Sequence, residues 1–273
     1  MPNLGLTAVI RSLAKMTTVG FLQPMSVASK VVSDLITNKE QLKAKRVHPV
    51  SILSALKVYS QGHGERGSLT WSPVPSIIDS LDEAIYLAFN LVPPTNLKYM
   101  IGVDVSGSMY WPSMRHVNQT GIAGLVARDV AAMLALLTAH TEPNYFIHGF
   151  NSQFVDLGIT KRSRFDDVIN RIEEIESAAT DCAIPMMYAL ENKIHVDVFQ
   201  VITDNETNTK SIHPFQALSE YRNKVNPNAK MIVLGCTPTS FSIAKPGTNY
   251  MLDIVGASTD TPQAIRQFSL GEV

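Results

Sequence analysis

The sequence predicts an α/β fold, a doubly wound and mostly parallel sheet, preceded by a small all-α segment. From Tyr99 onward, short apolar runs with the character of buried strands alternate with amphipathic stretches. This alternation is typical of a parallel sheet with helices on both faces. Before Pro93-Pro94 the apolar residues recur at helical spacing instead. The chain has 273 residues, enough for two domains, which we place at 1–95 and 96–273.

The front part is predicted to hold four helices. They cover residues 3–18, residues 24–37, a stretch from Pro49 to just before Gly62, and a stretch from Pro75 to Phe89. Proline is favoured in the first turn of a helix, where no N–H donor is needed. Such helices bury their apolar stripes by stacking on neighbours, as in helical repeat proteins. We therefore expect one open face to pack on the second domain or on another chain.

The back part is predicted to hold six strands and five helices. The strands are Tyr99–Val103, Asn144–Phe150, Phe154–Leu157, Val196–Thr203, Lys230–Gly235 and Tyr250–Val255, and Phe154–Leu157 is an edge strand. The helices are Gln119–His140, Arg164–Ile175, Ile184–Leu190, Pro214–Lys224 and Thr261–Phe268.

Polar side chains stand at three points of this pattern. Asp104, Ser106 and Ser108 follow the first strand, Asp204 follows the 196–203 strand, and Thr180 precedes a helix between them. In open α/β sheets, ligands bind outside the carboxyl ends of the strands, so we expect these side chains to converge. Hydroxyl and carboxylate oxygens are hard ligands that suit Mg²⁺ or Ca²⁺ rather than zinc. The five residues therefore form a predicted metal site, with Mg²⁺ or another divalent cation as cofactor.

The predicted metal site contains few carboxylates. A Mg²⁺ ion held mainly by neutral hydroxyls and water stays electrophilic. Its open position is therefore expected to favour a carboxylate or phosphate group supplied by a partner.

An enzymatic function is the weaker interpretation, and we predict none. Haloacid-dehalogenase phosphatases also end their first strand with Asp, but they need a second Asp two residues later. Here that position is Ser106, so the general acid/base is missing. The sequence has no Gly-x-Ser-x-Gly motif or Walker loop, and its seven histidines show no zinc spacing. Cys182 is near His195 in sequence, but a buried structural cysteine is the preferred interpretation.

Composition and charge narrow the functional classes to which the protein can belong. Two cysteines give no disulfide framework, so we expect a reduced, cytoplasmic protein. No stretch approaches the length of a membrane span, and we predict no membrane partner. Residues 1–98 carry ten Lys and Arg against six Asp and Glu, whereas residues 99–273 carry thirteen against eighteen. A basic front part hints at a surface that faces nucleic acid, although it is less basic than a dedicated nucleic-acid binder.

The basic residues of the front part fall in two places. One is a short run from Lys39 to Arg46, and the other is the glycine-rich turn from Gly62 to Gly67. On the sequence alone, a solvated helix face and a structural turn are the preferred explanation of these residues, and RNA binding is the alternative. The candidate RNA-contacting residues are Lys39, Lys43, Lys45, Arg46, His63 and Arg66.

The predicted metal residues resemble a known arrangement. Asp-x-Ser-x-Ser, an isolated Thr and an Asp at a later strand end are similar to the metal-ion-dependent adhesion site of von Willebrand factor A domains. The whole chain further resembles the C-terminal half of the Ro autoantigen (TROVE) family. The runs most specific to this family are Gly62-His63-Gly64 with Arg66-Gly67, Asp104-Val105-Ser106, Thr180-Asp181-Cys182 and Thr203-Asp204-Asn205-Glu206-Thr207.

The resemblance implies a fold and a function. Members of the family pair a ring of HEAT-like helical repeats with an A domain that closes the ring. They bind small non-coding Y RNAs on the outside of the ring and the single-stranded ends of misfolded RNAs in its central hole. The resemblance therefore implies an RNA-binding ribonucleoprotein component that acts in RNA quality control, with an acidic ligand at its metal site.

The sequence also departs from the family. Only about four predicted helices precede the A domain, so most of the ring is missing. This leaves two possibilities open: a second chain that completes the ring, or a metal-dependent protein-interaction module that has lost RNA binding. A smaller departure is Ala178-Ala179, where the family has Gly-Gly, which makes the loop before Thr180 stiffer.

Overall fold

The fold is described from a computed structural model of the chain. The residues described are 5–64, 67–109, 123–176, 178–204, 212–236, 243–256, 258 and 260–273. The chain divides between Pro93 and Pro94 into two compact units, and a short segment that ends at Leu125 returns to the first of them. Among the described residues, no helix is long and apolar enough to cross a membrane.

The first unit contains five helices within its described residues. They are α1 Leu6–Thr18, α2 Val27–Ile36, α3 Lys39–Ala44, α4 Pro49–Ser60 and α5 Pro75–Phe89. Helix α4 packs on α5 and on α1, and α5 also contacts α2 and α3. The all-α character of this part is therefore confirmed.

Two details of the helical prediction are wrong. The basic run from Lys39 to Arg46 was not counted among the four predicted helices, yet its first six residues form α3. The Asn38 side chain accepts a hydrogen bond from the Gln41 N–H and caps this short helix. Pro24 does not lie in the first turn of α2. It precedes Ser26, whose hydroxyl caps the helix, so α2 begins at Val27.

The second unit is built on one six-stranded sheet in the order β3-β2-β1-β4-β5-β6. The edge strand β3 runs antiparallel to β2, and the other neighbours run parallel. This confirms the predicted mostly parallel sheet and the predicted edge strand. The strands are β1 Lys98–Asp104, β2 Asn144–Phe150, β3 Phe154–Asp156, β4 Val198–Thr203, β5 Lys230–Gly235 and β6 Met251–Val255.

Helices cover the sheet on both faces. Helices α8 and α9 pack on each other over a core that includes Met100, Phe199 and Met231. Helix α6 lies outside that core, contacts β1, β2 and β4, and packs on α7. The helices of this unit are α6 Ala127–Thr141, α7 Phe165–Glu173, α8 Ile184–Glu191, α9 Pro214–Lys224 and α10 Thr261–Leu270.

The predicted start of α6 is wrong within the described residues. The prediction placed a helix from Gln119, but residues 123–126 are not helical and α6 begins at Ala127. Gly124 has a φ of +72°, which a right-handed helix does not allow, and the Asp129 carboxylate accepts the Val126 N–H at the helix start. Residues 119–122 lie outside the described residues.

Helix α8 approaches the central strand β1 closely at one residue. A Cβ atom added to Gly102 would lie 2.6 Å from Pro185 Cγ and 3.0 Å from Phe150 Cδ1. No real side chain tolerates such contacts, so this position needs glycine for packing rather than for backbone freedom. The close approach fixes the strand that carries Asp104 against the helix that follows Thr180.

We expect Gly102→Ala to lower the free energy of unfolding by about 1–3 kcal/mol, because the added methyl group overpacks the core. Urea denaturation followed by circular dichroism measures this loss. Gly5→Ala is the matched control, since a Cβ atom there would meet no atom within 4 Å. Equal denaturation midpoints for the two variants would contradict the packing argument.

Candidate metal centre

The carboxylate of Asp104 is the buried centre of the candidate site. Asp104 ends β1 and is 1% exposed. Its Oδ1 accepts the Ser106 N–H at 2.8 Å, and its Oδ2 accepts the Thr203 hydroxyl at 2.7 Å. These two bonds fix the orientation of the carboxylate. Sequence reasoning did not assign a role to Thr203, and the only signal was a hydroxyl at the last position of the strand before Asp204.

The loop after β1 brings two predicted ligands together. A 3₁₀ turn covers Gly107–Met109 and places the Ser106 and Ser108 hydroxyl oxygens 3.1 Å apart. Ser106 is buried, whereas Ser108 is exposed. The loop therefore offers one buried hydroxyl and one exposed hydroxyl close together.

Asp204 and Thr180 come from two neighbouring loops. Asp204 is buried, follows β4, and lies close enough to Asp104 for its charge to act on that carboxyl group. The next residue after Thr180, Asp181, donates its N–H to the Asn151 carbonyl at 3.0 Å, and Asn151 follows β2. Because β2 and β4 both flank β1, all three loops meet at the same edge of the sheet.

Burial dominates the electrostatics of this edge. It raises the pKa of Asp104 to about 7, and the negative charge of Asp204 adds to the increase. Hydrogen bonds from Ser106 and Thr203 oppose that increase. Burial likewise raises the pKa of the Cys236 thiol at the end of β5, and the charges of Asp204 and Asp104 raise it further. Negative charge is therefore concentrated where a cation would be stabilised.

The donor chemistry of these residues fits a hard divalent cation. Every candidate ligand supplies a hydroxyl or carboxylate oxygen, the donors that Mg²⁺ and Ca²⁺ prefer. Within the described residues, no three or more His, Cys, Asp and Glu side chains are grouped to hold a metal, so a zinc-type site has no counterpart there. Asp181 serves another purpose, because its Oδ1 accepts the Ala183 N–H at the start of α8.

The basic run of the helical unit is continuous and exposed. Lys39 and Lys43 lie on α3, and Lys45 and Arg46 follow it, all four with exposed side chains. The helix ends at Ala44, Arg46 then adopts a left-handed conformation with φ +49°, and the Val47 N–H bonds to the Leu42 carbonyl. This helix end turns the last two basic residues out beside the helical ones.

The other two candidate RNA contacts are separate. His63 is exposed in the turn after α4, pairs with Thr70 in an isolated β-bridge, and has its Nδ1 3.3 Å from the Gly64 carbonyl oxygen. Arg66 lies outside the described residues.

The order of the strands and the loop site define the class of protein. A mostly parallel sheet with one antiparallel edge strand, and hydroxyl and acidic residues at its carboxyl edge, is the arrangement of a von Willebrand factor A domain. The sequence model of the Ro60 vWA domain matches residues 98–269. The chain therefore belongs to the Ro60 family, and the predicted resemblance is confirmed.

Relatives of known identity match the chain over its full length. The chain is 39% identical to the RNA-binding protein RO60 of Deinococcus radiodurans, over 100% of this chain and 51% of that protein. It is 36% identical to the RNA-binding protein RO60 of Caenorhabditis elegans, over 99% of this chain and 41% of that protein. The crystal structure of the Deinococcus radiodurans RO (RSR) protein superposes with a TM-score of 0.91 at 39% identity, covering 100% of this chain and 54% of that chain. The chain thus spans about half the length of these relatives.

The raised pKa of Asp104 predicts a pH dependence of the metal-free protein. The pKa of the carboxyl group is 3.8 in its ordinary state and about 7 when folded. Between those values the folded state keeps a proton that the unfolded state has released, so stability falls as pH rises from about 4 to about 7. We expect urea midpoints in EDTA to decrease over this range, and Asp104→Asn to reduce the decrease. An equal decrease in both proteins would contradict the assignment. Asp167→Asn, which changes an exposed side chain of α7, is the control.

Proposed function

We propose that this chain is a non-enzymatic RNA-binding component of a ribonucleoprotein, whose A domain adds a divalent-cation site for an acidic ligand. The observation that supports RNA binding most directly is the end-to-end match to two relatives named RNA-binding protein RO60. Small non-coding RNAs and misfolded RNAs are the substrates that the family resemblance implies. The match covers the helical unit as well as the A domain, so the proposal extends to both.

The RNA part of the proposal depends on the exposed run at α3. Lys39, Lys43, Lys45 and Arg46 present four positive charges within eight residues, on a short helix and its left-handed end. Lysine and arginine contacts to phosphates release counterions, so their contribution to affinity decreases steeply with salt. The run is therefore assigned to the phosphate backbone rather than to the bases.

The metal part depends on the carboxyl edge of the sheet. Asp104 and Asp204 would supply negative charge, and Ser106, Ser108 and Thr180 would supply neutral hydroxyl oxygens. When bound, Mg²⁺ provides an electrophilic position that attracts a carboxylate or phosphate. Thr203 and the Ser106 N–H hold the Asp104 carboxylate in one orientation. The chain itself therefore prepares the site before any ion enters.

A second candidate function is a metal-dependent protein-interaction module without RNA binding. A second chain that supplies further helices is the corresponding partner. Large apolar side chains are exposed around α2, with Val27 80% exposed and Met25 fully exposed, and such residues suit another helical layer.

We expect Lys43→Gln/Lys45→Gln to weaken binding of a single-stranded RNA, and to make its salt dependence less steep by about 1.4 in log K against log salt. Two phosphate contacts would be lost. Filter binding at several salt concentrations measures both effects. Lys15→Gln/Lys30→Gln changes two exposed lysines of the same unit and is the matched control. Absent or salt-insensitive binding by the unmodified chain would exclude the RNA proposal and leave the protein-interaction candidate.

We expect Mg²⁺ to bind the unmodified chain and not Asp104→Ala, because Asp104 would be a charged ligand at the centre of the site. Isothermal titration calorimetry at pH 8 measures the difference, since the carboxyl group is then ionised. Asp167→Ala removes an exposed carboxylate on α7 and should bind like the unmodified chain. Identical weak heats for all three proteins would rule out the metal site.

A further inference from the structure

A second cleft lies at the opposite end of the sheet from the metal edge. It has a volume of about 670 Å³ and is formed within the sheet unit, near the first residues of β1 and β2. A strand of seven residues separates it from Asp104, which corresponds to about 20 Å. The residues that matter for its chemistry are Asn96, His140, Glu142, Tyr145, Lys161 and Arg162.

The acidic residue of the cleft is already used by the fold. Glu142 is buried, and its Oε1 accepts the Thr95 N–H at 2.8 Å and the Thr95 hydroxyl at 3.0 Å. Its Oε2 accepts the Asn96 N–H at 3.0 Å. This clamp holds Asn96 in a left-handed conformation with φ +62°. The carboxylate is thus turned toward the backbone before β1, and the hydrogen bonds of its two oxygens come from Thr95 and Asn96.

The two cationic side chains of the cleft lie on one turn that is stabilised by hydrogen bonds. Lys161 and Arg162 are both exposed, and the described residues give neither side chain an ion-pair partner. The turn that carries them is closed by Thr160, whose N–H bonds to the Ser163 hydroxyl at 3.0 Å and whose hydroxyl accepts the Arg162 N–H at 3.2 Å. Two positive charges are therefore presented at the cleft, whose acidic residue, Glu142, is hydrogen-bonded to Thr95 and Asn96.

The remaining lining is neutral and includes an aromatic ring. Burial lowers the pKa of His140, and the positive charge of Lys161 lowers it further, so the imidazole is neutral at pH 7. Tyr145 is half-buried at the second position of β2. Two carbonyl groups near the end of α6 are already hydrogen-bonded. The Leu137 carbonyl accepts the Thr141 hydroxyl, and the Thr138 carbonyl accepts the Glu142 N–H.

We infer that this cleft binds one nucleotide of a single-stranded RNA, with a phosphate at Lys161 and Arg162 and the base against Tyr145. The inference rests on the proposed RNA-binding function and adds a contact in the A domain, at the end of the sheet opposite the metal edge. A single-stranded chain fits better than an acidic peptide, because the cleft pairs its two cations with an aromatic surface on which a base can stack. A duplex would leave that ring without a base to contact, because its bases are already stacked.

The test uses the full chain and a fluorescein-labelled uridine dodecamer that carries 4-thiouridine. We expect Lys161→Gln/Arg162→Gln to weaken binding about tenfold, with an unchanged melting temperature since both residues are exposed. Lys193→Gln/Lys224→Gln removes two exposed charges elsewhere on the same unit and should bind like the unmodified chain. Ultraviolet crosslinking should label the peptide that contains Tyr145, and the cleft variant should lose that label.

The outcomes separate this inference from the proposed function. If the unmodified chain binds the dodecamer and Lys43→Gln/Lys45→Gln weakens it, while the cleft variant binds within twofold, the cleft inference is overturned and the proposed function stands. Crosslinks only to other peptides overturn the inference as well. If hexaglutamate displaces the dodecamer at the same concentration as unlabelled uridine dodecamer, the cleft is a general anion surface and the inference is overturned. If the unmodified chain binds no RNA, both are overturned.

Discussion

The hydrogen bond between the Thr203 hydroxyl and the Asp104 carboxylate ties the candidate site to the sheet. The two residues are 99 positions apart in sequence, yet their strands are neighbours, and both are almost fully buried. A carboxylate removed from water is costly unless hydrogen bonds or a cation compensate it. The Ser106 N–H and the Thr203 hydroxyl provide part of that compensation, and the raised pKa of Asp104 shows that they do not provide all of it.

That buried charge explains how the surrounding loops are arranged. Strand β1 occupies the centre of the sheet, so the loops after β2 and β4 necessarily meet beside its end. The Asp181 N–H anchors one loop to the end of β2, and the Cys236 N–H bonds to the Thr203 carbonyl at 2.7 Å from the other side. A divalent cation would complete the compensation of the buried Asp104 charge. The metal assignment and the burial of Asp104 therefore depend on the same meeting of loops.

The two ends of the sheet unit have opposite electrostatic character. Asp104 and Asp204 lie at the carboxyl edge of the sheet. At the amino edge, Glu142 accepts hydrogen bonds from backbone N–H groups, and Lys161 and Arg162 are exposed. The acidic residues lie at the carboxyl ends of β1 and β4, whereas the turn with Lys161 and Arg162 lines the cleft near the first residues of β1 and β2. With a divalent cation bound at the carboxyl edge, as proposed, one domain would present an acceptor for acidic ligands and, about 20 Å away, a cleft suited to phosphate.

Much of the fold followed from local patterns. Helix α9 and strands β2 and β5 have the predicted bounds, since His213-Pro214 marks the helix start and the strands are short apolar runs. Helix α3 was missed because it is only six residues long and buries only Leu42, which leaves no periodicity to detect. The start of α6 was misplaced because Leu125 and Val126 continue the apolar pattern while Gly124 already breaks the helix.

For the site, the sequence by itself determined which oxygen-bearing residues follow the strands, including Ser106 and Ser108 in the single loop after β1. Local spacing carries that information because side chains in one loop are constrained by their own backbone. Only the tertiary structure decided that Thr203 holds Asp104, that Glu142 accepts hydrogen bonds from Thr95 and Asn96, and that Lys161 lines the same cleft as Tyr145. Those relations depend on strand order and on packing between residues far apart in sequence, which no local pattern encodes.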